Sequence, residues 1–245
     1  MEKGVIQETK KGTPQGGNLS PLLSNIMLNE LDEELKKRGL NFVRYADDCL
    51  IMVRSEKAAN RVMESITTFI TKKLGLKVNL EKSKIARPNQ IKYLGFGFYK
   101  KINQNIWRPK PHIKSVQKFK TKLRDILVRS RSISLDERFL KLKQLIYGWV
   151  NYFRIADMKA LLSKEIDPSI RRKLRAIIWK QWKKIRKRYT CLRKLGISHR
   201  DAYVTANSRK GYYYIAQTAI SKERLNKRGL VNSLDHYLKV HTITN

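Results

Sequence analysis

The stretch FVRYADDCLIMV, residues 42–53, holds two adjacent aspartates, Asp47 and Asp48, between two runs of β-branched, aromatic and aliphatic residues. Such runs favour extended backbone and aspartate is common in turns, so the stretch predicts a β-hairpin with both acids at its tip. Two carboxylates so close together repel each other, and a divalent cation removes that repulsion. Mg²⁺ suits such a pair because it prefers hard oxygen ligands. Taken alone, however, an Asp-Asp pair is more often a simple turn.

Amphipathic helices are predicted on both sides of this hairpin. The first begins at Ser20-Pro21, with Ser20 as its cap, and ends at Gly39. The second is capped by Ser55 and ends at Gly75. Their apolar residues recur at helical spacing. They are Leu22, Leu23, Ile26, Leu31 and Leu35 in the first helix, and Ala58, Val62, Ile66, Phe69, Ile70 and Leu74 in the second.

Two further strands are predicted downstream. Apolar residues alternate over 76–80, and IKYLGFGFYK, residues 91–100, alternates with aromatic residues. Helices on one face of an antiparallel sheet give residues 1–105 an α+β fold.

Helical patterns dominate after residue 105. A helix is predicted over 114–129, and a capping box of Ser134 and Glu137 begins the next one. Asp167-Pro168 then begins one long helix containing RRKLRAIIWKQWKKIRKR, apolar on one face and basic elsewhere. We therefore predict a helical domain at 106–190 and a basic C-terminal extension of short helices and loops at 191–245.

Positive charge is concentrated in the second half. The chain of 245 residues has a formal net charge of +34, and residues 105–245 hold 35 of its 54 basic residues but only 9 of its 20 acidic ones. This imbalance favours a phosphate backbone as the partner.

Several classes of protein are excluded or disfavoured. The two cysteines, Cys49 and Cys191, form no CxxC pair or Cys/His cluster, which argues against a zinc finger. No apolar stretch approaches the roughly 18 residues of a membrane span, and the N-terminus lacks the apolar region of a secretory signal. We expect a cytoplasmic (bacterial) or organellar protein that is neither secreted nor membrane-bound.

A series of motifs resembles a known family. GTPQGGNLSPLLSNIMLNELD (12–32), YADD (45–48), GLKVNLEKSKI (75–85) and YLGF (93–96) resemble, in order, the palm motifs of reverse transcriptases, and PQGG with YADD is similar to the group II intron branch. GWVNYFR (148–154) and RRKLRAIIWKQWKK (171–184) resemble that family's thumb, also called the maturase or X domain. The resemblance implies an RNA-directed DNA polymerase that also binds intron RNA and assists splicing.

The resemblance implies a role for individual palm residues. Asp47 and Asp48 would be the catalytic carboxylates that bind two Mg²⁺ ions for nucleotidyl transfer. The nucleotide- and primer-binding residues would be Gln15, Gly16, Gly17, Tyr45, Ala46, Lys82 and Gly95. Without the resemblance, Lys82 would be interpreted as a solvated loop lysine. Gln15, Gly16 and Gly17 would be interpreted as a turn before a helix.

Basic residues of the second half are candidate contacts to nucleic acid. On the predicted long helix they are Arg171, Arg172, Arg175, Lys180, Lys183, Lys184, Arg186, Lys187 and Arg188, and acidic partners at i,i+4 are missing there. Arg209, Lys210 and Tyr212 form a small cluster suited to single strands. A solvated charged face is the alternative for both sets.

One departure from the family pattern leaves more than one function open for this chain. A complete reverse transcriptase has a fingers region and an earlier palm strand with another metal-binding aspartate, and we expect both to be missing here. The chain would then be the C-terminal part of a longer or split protein, or the product of a decayed gene, and would polymerise little alone. The alternative is a non-catalytic maturase fragment that stabilises folded intron RNA. A third hypothesis is a basic RNA-binding protein unrelated to polymerases.

The partners implied by the resemblance are group II intron RNA, an RNA template with a DNA primer, and deoxynucleoside triphosphates. The missing N-terminal fingers portion would be a further partner.

Overall fold

The chain divides between Arg87 and Pro88 into two units, Met1–Arg87 and Pro88–Asn245, each with its own apolar core. The computed structural model describes residues 17–102, 105–130 and 132–241. Within these ranges the chain is mostly helical, with two small antiparallel sheets of two strands each. The division into domains after residues 105 and 190 stays a prediction. No helix in the described ranges is long and apolar enough to cross a membrane.

The first unit packs two helices against the predicted hairpin. Its elements are α1 (Ser20–Lys37), β1 (Asn41–Tyr45), β2 (Asp48–Met52) and α2 (Glu56–Lys72). Leu31 and Leu35 of α1 meet Ile66 of α2 in a small core, and Phe42 and Ile51 of the hairpin pack against it.

Three of the four predicted helix boundaries in this unit are confirmed. Ser55 Oγ accepts from the Ala58 N–H at 3.2 Å, and Gly39 and Gly75 adopt the positive φ of helix-ending glycines. The prediction that Ser20 caps α1 is wrong. Leu19 occupies the capping position, because the Ser20 N–H donates to the Gly17 carbonyl in a turn that precedes the helix.

The apolar stripe of α1 is only partly buried. Leu31 and Leu35 are in the core, but Leu22, Leu23 and Ile26 are between 46% and 62% exposed. Helical spacing therefore predicted which residues share a face, and the short core of this unit covers only the C-terminal part of that face.

The predicted strand over 76–80 is wrong. Leu76 and Val78 are half-buried and Leu80 is 70% exposed, and the segment has no regular secondary structure. In the described part of this unit β1 and β2 pair only with each other. A strand-like sequence needs a neighbouring strand to bond with, and without one alternation alone does not make a strand.

The second unit combines a β-hairpin with nine α-helices in the described residues. Its elements are β3 (Phe96–Lys101), β4 (Ile106–Pro111), α3 (Ile113–Ile126), α4 (Leu135–Tyr152), α5 (Lys159–Leu161), α6 (Asp167–Gln181), α7 (Ile185–Lys194), α8 (His199–Asn207), α9 (Tyr212–Ala219), α10 (Lys222–Lys227) and α11 (Ser233–Val240). One apolar core runs from Phe119 to Tyr237. The capping of α4 is confirmed, since Ser134 Oγ accepts from the Glu137 N–H at 3.1 Å.

The single antiparallel sheet predicted for residues 1–105 is not observed among residues 17–102 and 105. β1–β2 and β3–β4 are separate sheets, and the second belongs to the helical unit. Phe96 explains this placement, because its ring packs on Tyr152 and Phe153 of the α4 end at 5.8 and 4.8 Å.

The long basic helix predicted after Asp167 is broken. α6 ends at Gln181 and α7 begins at Ile185. Trp179, near the end of α6, and Trp182, in the break, are both buried, with their ring centroids 5.8 Å apart. Arg188 Nε donates to the Trp182 carbonyl at 2.9 Å and so bonds the new turn.

Asp167 is the first residue of α6, as predicted, and its side chain has a role that the sequence did not indicate. It lies within a continuous helical run, after a π-helical turn at Leu162–Ile166. Its carboxylate instead accepts from the Ser233 hydroxyl at 2.6 Å and from the N–H groups of Ser233 and Leu234 at 3.0 and 3.2 Å. A buried acid of α6 therefore caps α11 from a distance in the sequence.

Candidate active site and nucleic-acid surface

The β1–β2 hairpin carries the adjacent carboxylates at its tip, which confirms the predicted placement. Tyr45 pairs with Asp48, so Ala46 and Asp47 form a two-residue turn. Ala46 has a φ of +52°, a region that residues other than glycine seldom adopt and that tight hairpin turns require. Asp47 and Asp48 are both exposed. The hairpin tip therefore carries two adjacent aspartates that are both exposed to solvent.

Arg44 fastens this turn to α1, and sequence reasoning missed it. Its guanidinium binds both carboxylate oxygens of Asp32, at 2.7 and 2.5 Å, and donates to Asn25 Oδ1 at 3.0 Å. It also donates to the Ala46 carbonyl at 2.9 Å, within the turn itself. The alternation of inward and outward residues along β1 could have indicated this role. Arg44 shares the inward face of β1 with Phe42, and a cation on that face needs an acidic partner.

The donor set at the tip fits part of a Mg²⁺ site. Two exposed carboxylates offer the hard oxygen ligands that Mg²⁺ prefers, and phosphates commonly complete its coordination. Within the described ranges, no group of three or more His, Cys, Asp or Glu residues could hold a metal ion. Asp32 cannot serve as a third ligand while both its oxygens bind Arg44.

The other candidate palm residues are dispersed. Gln15 and Gly16 lie outside the described residues, and Gly17 is the first described residue, just ahead of α1. Tyr45 ends β1 with 64% of its surface exposed. Lys82 is exposed in a turn, and its N–H donates to Asn79 Oδ1 at 3.1 Å.

Gly95 lies in the second unit, and its surroundings give it a structural role there. Its φ is +81°, and its carbonyl accepts from the His112 N–H and from Ser115 Oγ, both at 2.9 Å. A Cβ at this position would lie 3.2 Å from Ser115 Oγ and 3.4 Å from Phe153 Cζ. Glycine is needed here to join the turn before β3 to the start of α3.

The nine basic candidates predicted for one helix are divided between two helices. Arg171, Arg172, Arg175 and Lys180 lie on α6, Lys183 and Lys184 in the break, and Arg186, Lys187 and Arg188 on α7. Six of the nine are exposed: Arg172, Lys180, Lys183, Lys184, Arg186 and Lys187. Arg188 packs over Trp179 at 5.3 Å, so part of the set supports the core.

Arg175 is held between α6 and α9. Its Nη1 donates to Gln217 Oε1 at 3.4 Å, and Gln217 Nε2 donates to the Arg172 carbonyl at 3.1 Å. Burial and then the nearby Arg171 lower the pKa of Arg175 below its ordinary value. An anion beside these two arginines would relieve their repulsion.

A basic-aromatic patch lies at the start of α9. Lys180 Nζ lies over the ring of Tyr212, 4.0 Å from its centroid, and Arg129 Nη1 donates to the Tyr212 hydroxyl at 3.4 Å. Lys210 Nζ lies 5.3 Å from the ring of Tyr214. Exposed tyrosines combined with cations suit single-stranded nucleic acid, since bases can stack and phosphates can pair with the amines.

Comparison with known proteins gives matches in both units. The family model described as reverse transcriptase (RNA-dependent DNA polymerase) matches residues 2–98, and the maturase-specific domain of group II introns matches residues 116–196. Among similar proteins, Protein YkfC of Escherichia coli (strain K12) is 30% identical over 36% of this chain and 32% of its own length. The group II intron-encoded protein LtrA of Lactococcus lactis subsp. cremoris is 27% identical over 39% of this chain and 27% of its own length.

A viral relative matches a similar share of the chain. Protein P of duck hepatitis B virus (strain United States/DHBV-16) is 26% identical over 39% of this chain and 12% of its own length. The chain thus spans a third or less of the length of these relatives. The reverse transcriptase match, the group II intron maturase match that follows it and the similarity to LtrA together support a group II intron reverse transcriptase/maturase.

Proposed function

We propose that the chain supplies the Asp47/Asp48 carboxylates for RNA-directed DNA synthesis and a basic helical surface for group II intron RNA. The observation that carries this proposal is the hairpin: Arg44 ties its turn to α1 while both aspartates remain exposed. A simple surface turn would not need a half-buried ion pair behind it, whereas a metal-binding turn benefits from a fixed backbone.

Nucleotidyl transfer would proceed at this tip. The reaction joins the primer 3′-hydroxyl oxygen to the α-phosphorus of a deoxynucleoside triphosphate and releases pyrophosphate. Mg²⁺, which the family uses, would supply charge neutralisation and a more acidic hydroxyl. Asp47 would be the direct metal ligand and Asp48 its support, with Tyr45 and Ala46 beside the primer end. By the family resemblance, Lys82 would lie near the triphosphate, Gln15, Gly16 and Gly17 would line the nucleotide pocket, and Gly95 would help to hold the primer.

The helical unit would bind the RNA. Candidate phosphate contacts are the exposed cations of α6, the break and α7, and Tyr212 with Arg209 and Lys210 would contact an unpaired strand. RNA helices are recognised mainly through backbone and shape, which suits a dispersed basic surface.

A second candidate function is RNA binding without chemistry. It is favoured by the position of the charge, because 35 of the 54 basic residues lie in residues 105–245. In this case the chain stabilises folded intron RNA as a maturase does, and Asp47 and Asp48 contribute nothing to that activity.

Primer extension separates the two functions. The purified chain, incubated with an RNA template, a DNA primer and Mg²⁺, is expected to extend little or nothing by itself. Adding the family's fingers region and earlier palm strand as a separate polypeptide should allow extension by the unmodified chain and not by Asp47→Ala. Equal extension by the unmodified chain and by Asp47→Ala would overturn the enzymatic proposal. Robust extension by the unmodified chain alone, abolished in Asp47→Ala, would show that the chain needs no added polypeptide.

A further inference from the structure

A cleft between α7 and α8 is separate from every candidate residue named above except Arg186. It is lined by Ile185, Arg186, Tyr189, His199, Tyr203 and Asn207 and has a volume of about 420 Å³. This volume is within the range of ligand sites, about 300–1,000 Å³.

The floor and the turn of the cleft are fixed. Leu192 of α7 and Ala202 and Ala206 of α8 are completely or almost completely buried beneath it. Arg193 Nη1 donates to the Ile197 carbonyl at 2.7 Å across the connecting turn. This packing fixes the two helices that carry the lining residues.

Three aromatic rings, of Tyr189, His199 and Tyr203, line the cleft. Tyr189 and His199 meet edge to face, with their centroids 5.6 Å apart. Tyr203 is 61% exposed although it lines a concavity. Asn207 uses its amide nitrogen to donate to the Tyr203 carbonyl at 2.9 Å, so its carboxamide oxygen can accept a bond from a base amino group.

Charge around the cleft favours an anionic occupant. α7 carries Arg186, Lys187, Arg188, Arg193 and Lys194 and no acidic residue. The acid on α8, Asp201, is engaged by Ser198 Oγ at 2.7 Å. A phosphate beside Arg186 would relieve the repulsion among these cations.

We propose that the α7–α8 cleft receives one unpaired nucleobase of RNA, stacked on Tyr203, with a flanking phosphate on Arg186. This inference rests on the proposed RNA binding and adds a site to it. An unpaired base is required because paired bases in an RNA helix expose no stacking face to a protein side chain.

The test compares three RNA hairpins that differ at one position: a bulged 2-aminopurine, an abasic bulge and a fully paired stem. The unmodified chain should bind the 2-aminopurine hairpin more tightly than the other two and quench its fluorescence. Tyr203→Ala should weaken binding to that hairpin by roughly 5- to 150-fold, the range for one base stacked on an aromatic ring, and should leave the abasic affinity unchanged.

Val204→Ala is the matched control. Val204 lies next to Tyr203 on α8 and is 62% exposed, but it does not line the cleft. The Kd of Val204→Ala for each of the three hairpins should match that of the unmodified chain. Circular dichroism should show that Tyr203→Ala and Val204→Ala both fold. Equal affinity of the unmodified chain for bulged and abasic RNA, or an equal loss on both in Tyr203→Ala, overturns the base-binding site. Failure to bind any of the three RNAs overturns the proposed RNA binding instead.

Discussion

Arg44 and Asp32 form a two-bonded ion pair between β1 and α1, with side chains that are 12% and 18% exposed. Because the same guanidinium donates to the Ala46 carbonyl, this pair connects a helix to the turn that bears Asp47. Removing one partner leaves a half-buried charge without its counter-ion.

Asp32→Asn should therefore lower the free energy of unfolding of the first unit by about 2–3 kcal/mol, somewhat less than the 3–5 kcal/mol for a fully buried pair. Chemical denaturation followed by circular dichroism would measure this change. Glu33→Gln is the control, since Glu33 pairs with Lys36 on the exposed side of α1 and should leave the midpoint nearly unchanged. Equal midpoints for the two variants would show that the Arg44–Asp32 pair contributes no more than a surface pair.

Mg²⁺ should stabilise the unmodified chain through Asp47 and Asp48. A ligand that binds only the folded state raises the unfolding temperature as its concentration exceeds its Kd. The Asp47→Asn/Asp48→Asn double variant should lose this dependence, because it removes the charged oxygens that would bind the ion. Glu64→Gln, an exposed acid on α2, should retain the Mg²⁺ response. A full response in the double variant would place the ion elsewhere.

RNA affinity should fall steeply with salt. Each phosphate contact contributes about 0.7 to the slope of log K against log salt for single strands and about 0.9 for duplexes. Lys183→Gln and Lys187→Gln should each reduce the slope by about that amount. Lys36→Gln, which loses a cation already paired with Glu33, should leave it unchanged. Filter binding should be measured between 50 and 300 mM salt, where the Debye length falls from about 14 to about 6 Å. An affinity that does not change with salt would contradict the proposal that the basic surface binds RNA phosphates.

Asp167 should control the docking of α11. Asp167→Ala removes the acceptor for two N–H groups and one hydroxyl near the start of that helix, so we expect a loss of about 2–3 kcal/mol from unsatisfied buried donors. Hydrogen exchange should increase first in Ser233–Val240. Asp136→Ala removes an exposed acid from the first turn of α4 and serves as the control. Unchanged protection of α11 in Asp167→Ala would show that apolar packing alone holds it.

Tyr237 gives the second unit a dependence on alkaline pH. Its hydroxyl donates to the Ala156 carbonyl at 3.0 Å, and burial raises its pKa from 10.0 to about 12. Since the folded pKa is the higher one, this stabilisation is complete below pH 10 and is lost as the pH rises towards 12. The difference in unfolding free energy between the unmodified chain and Tyr237→Phe should shrink by about 2–3 kcal/mol over that interval. A difference that is constant from pH 9 to 12 would contradict the predicted shift.

The sequence by itself determined the local features of this protein. Strand-forming residues around Asp47 and Asp48 specify a hairpin because the turn chemistry is local. Ser55 begins a helix through its side chain, and Gly39 and Gly75 end helices through their backbone conformation. The order of the palm and maturase motifs likewise indicated the two family models that match the chain.

Only the tertiary structure decided which partner each polar group takes. Asp167 accepts hydrogen bonds from the start of α11, and Asp32 pairs with Arg44, and no local pattern encodes either partner. The break after Gln181 likewise interrupts a helix that periodicity alone would continue. The physical reason is that propensity and periodicity act over one or two turns of chain. Buried charges and large rings are satisfied instead by whichever segment the fold brings beside them.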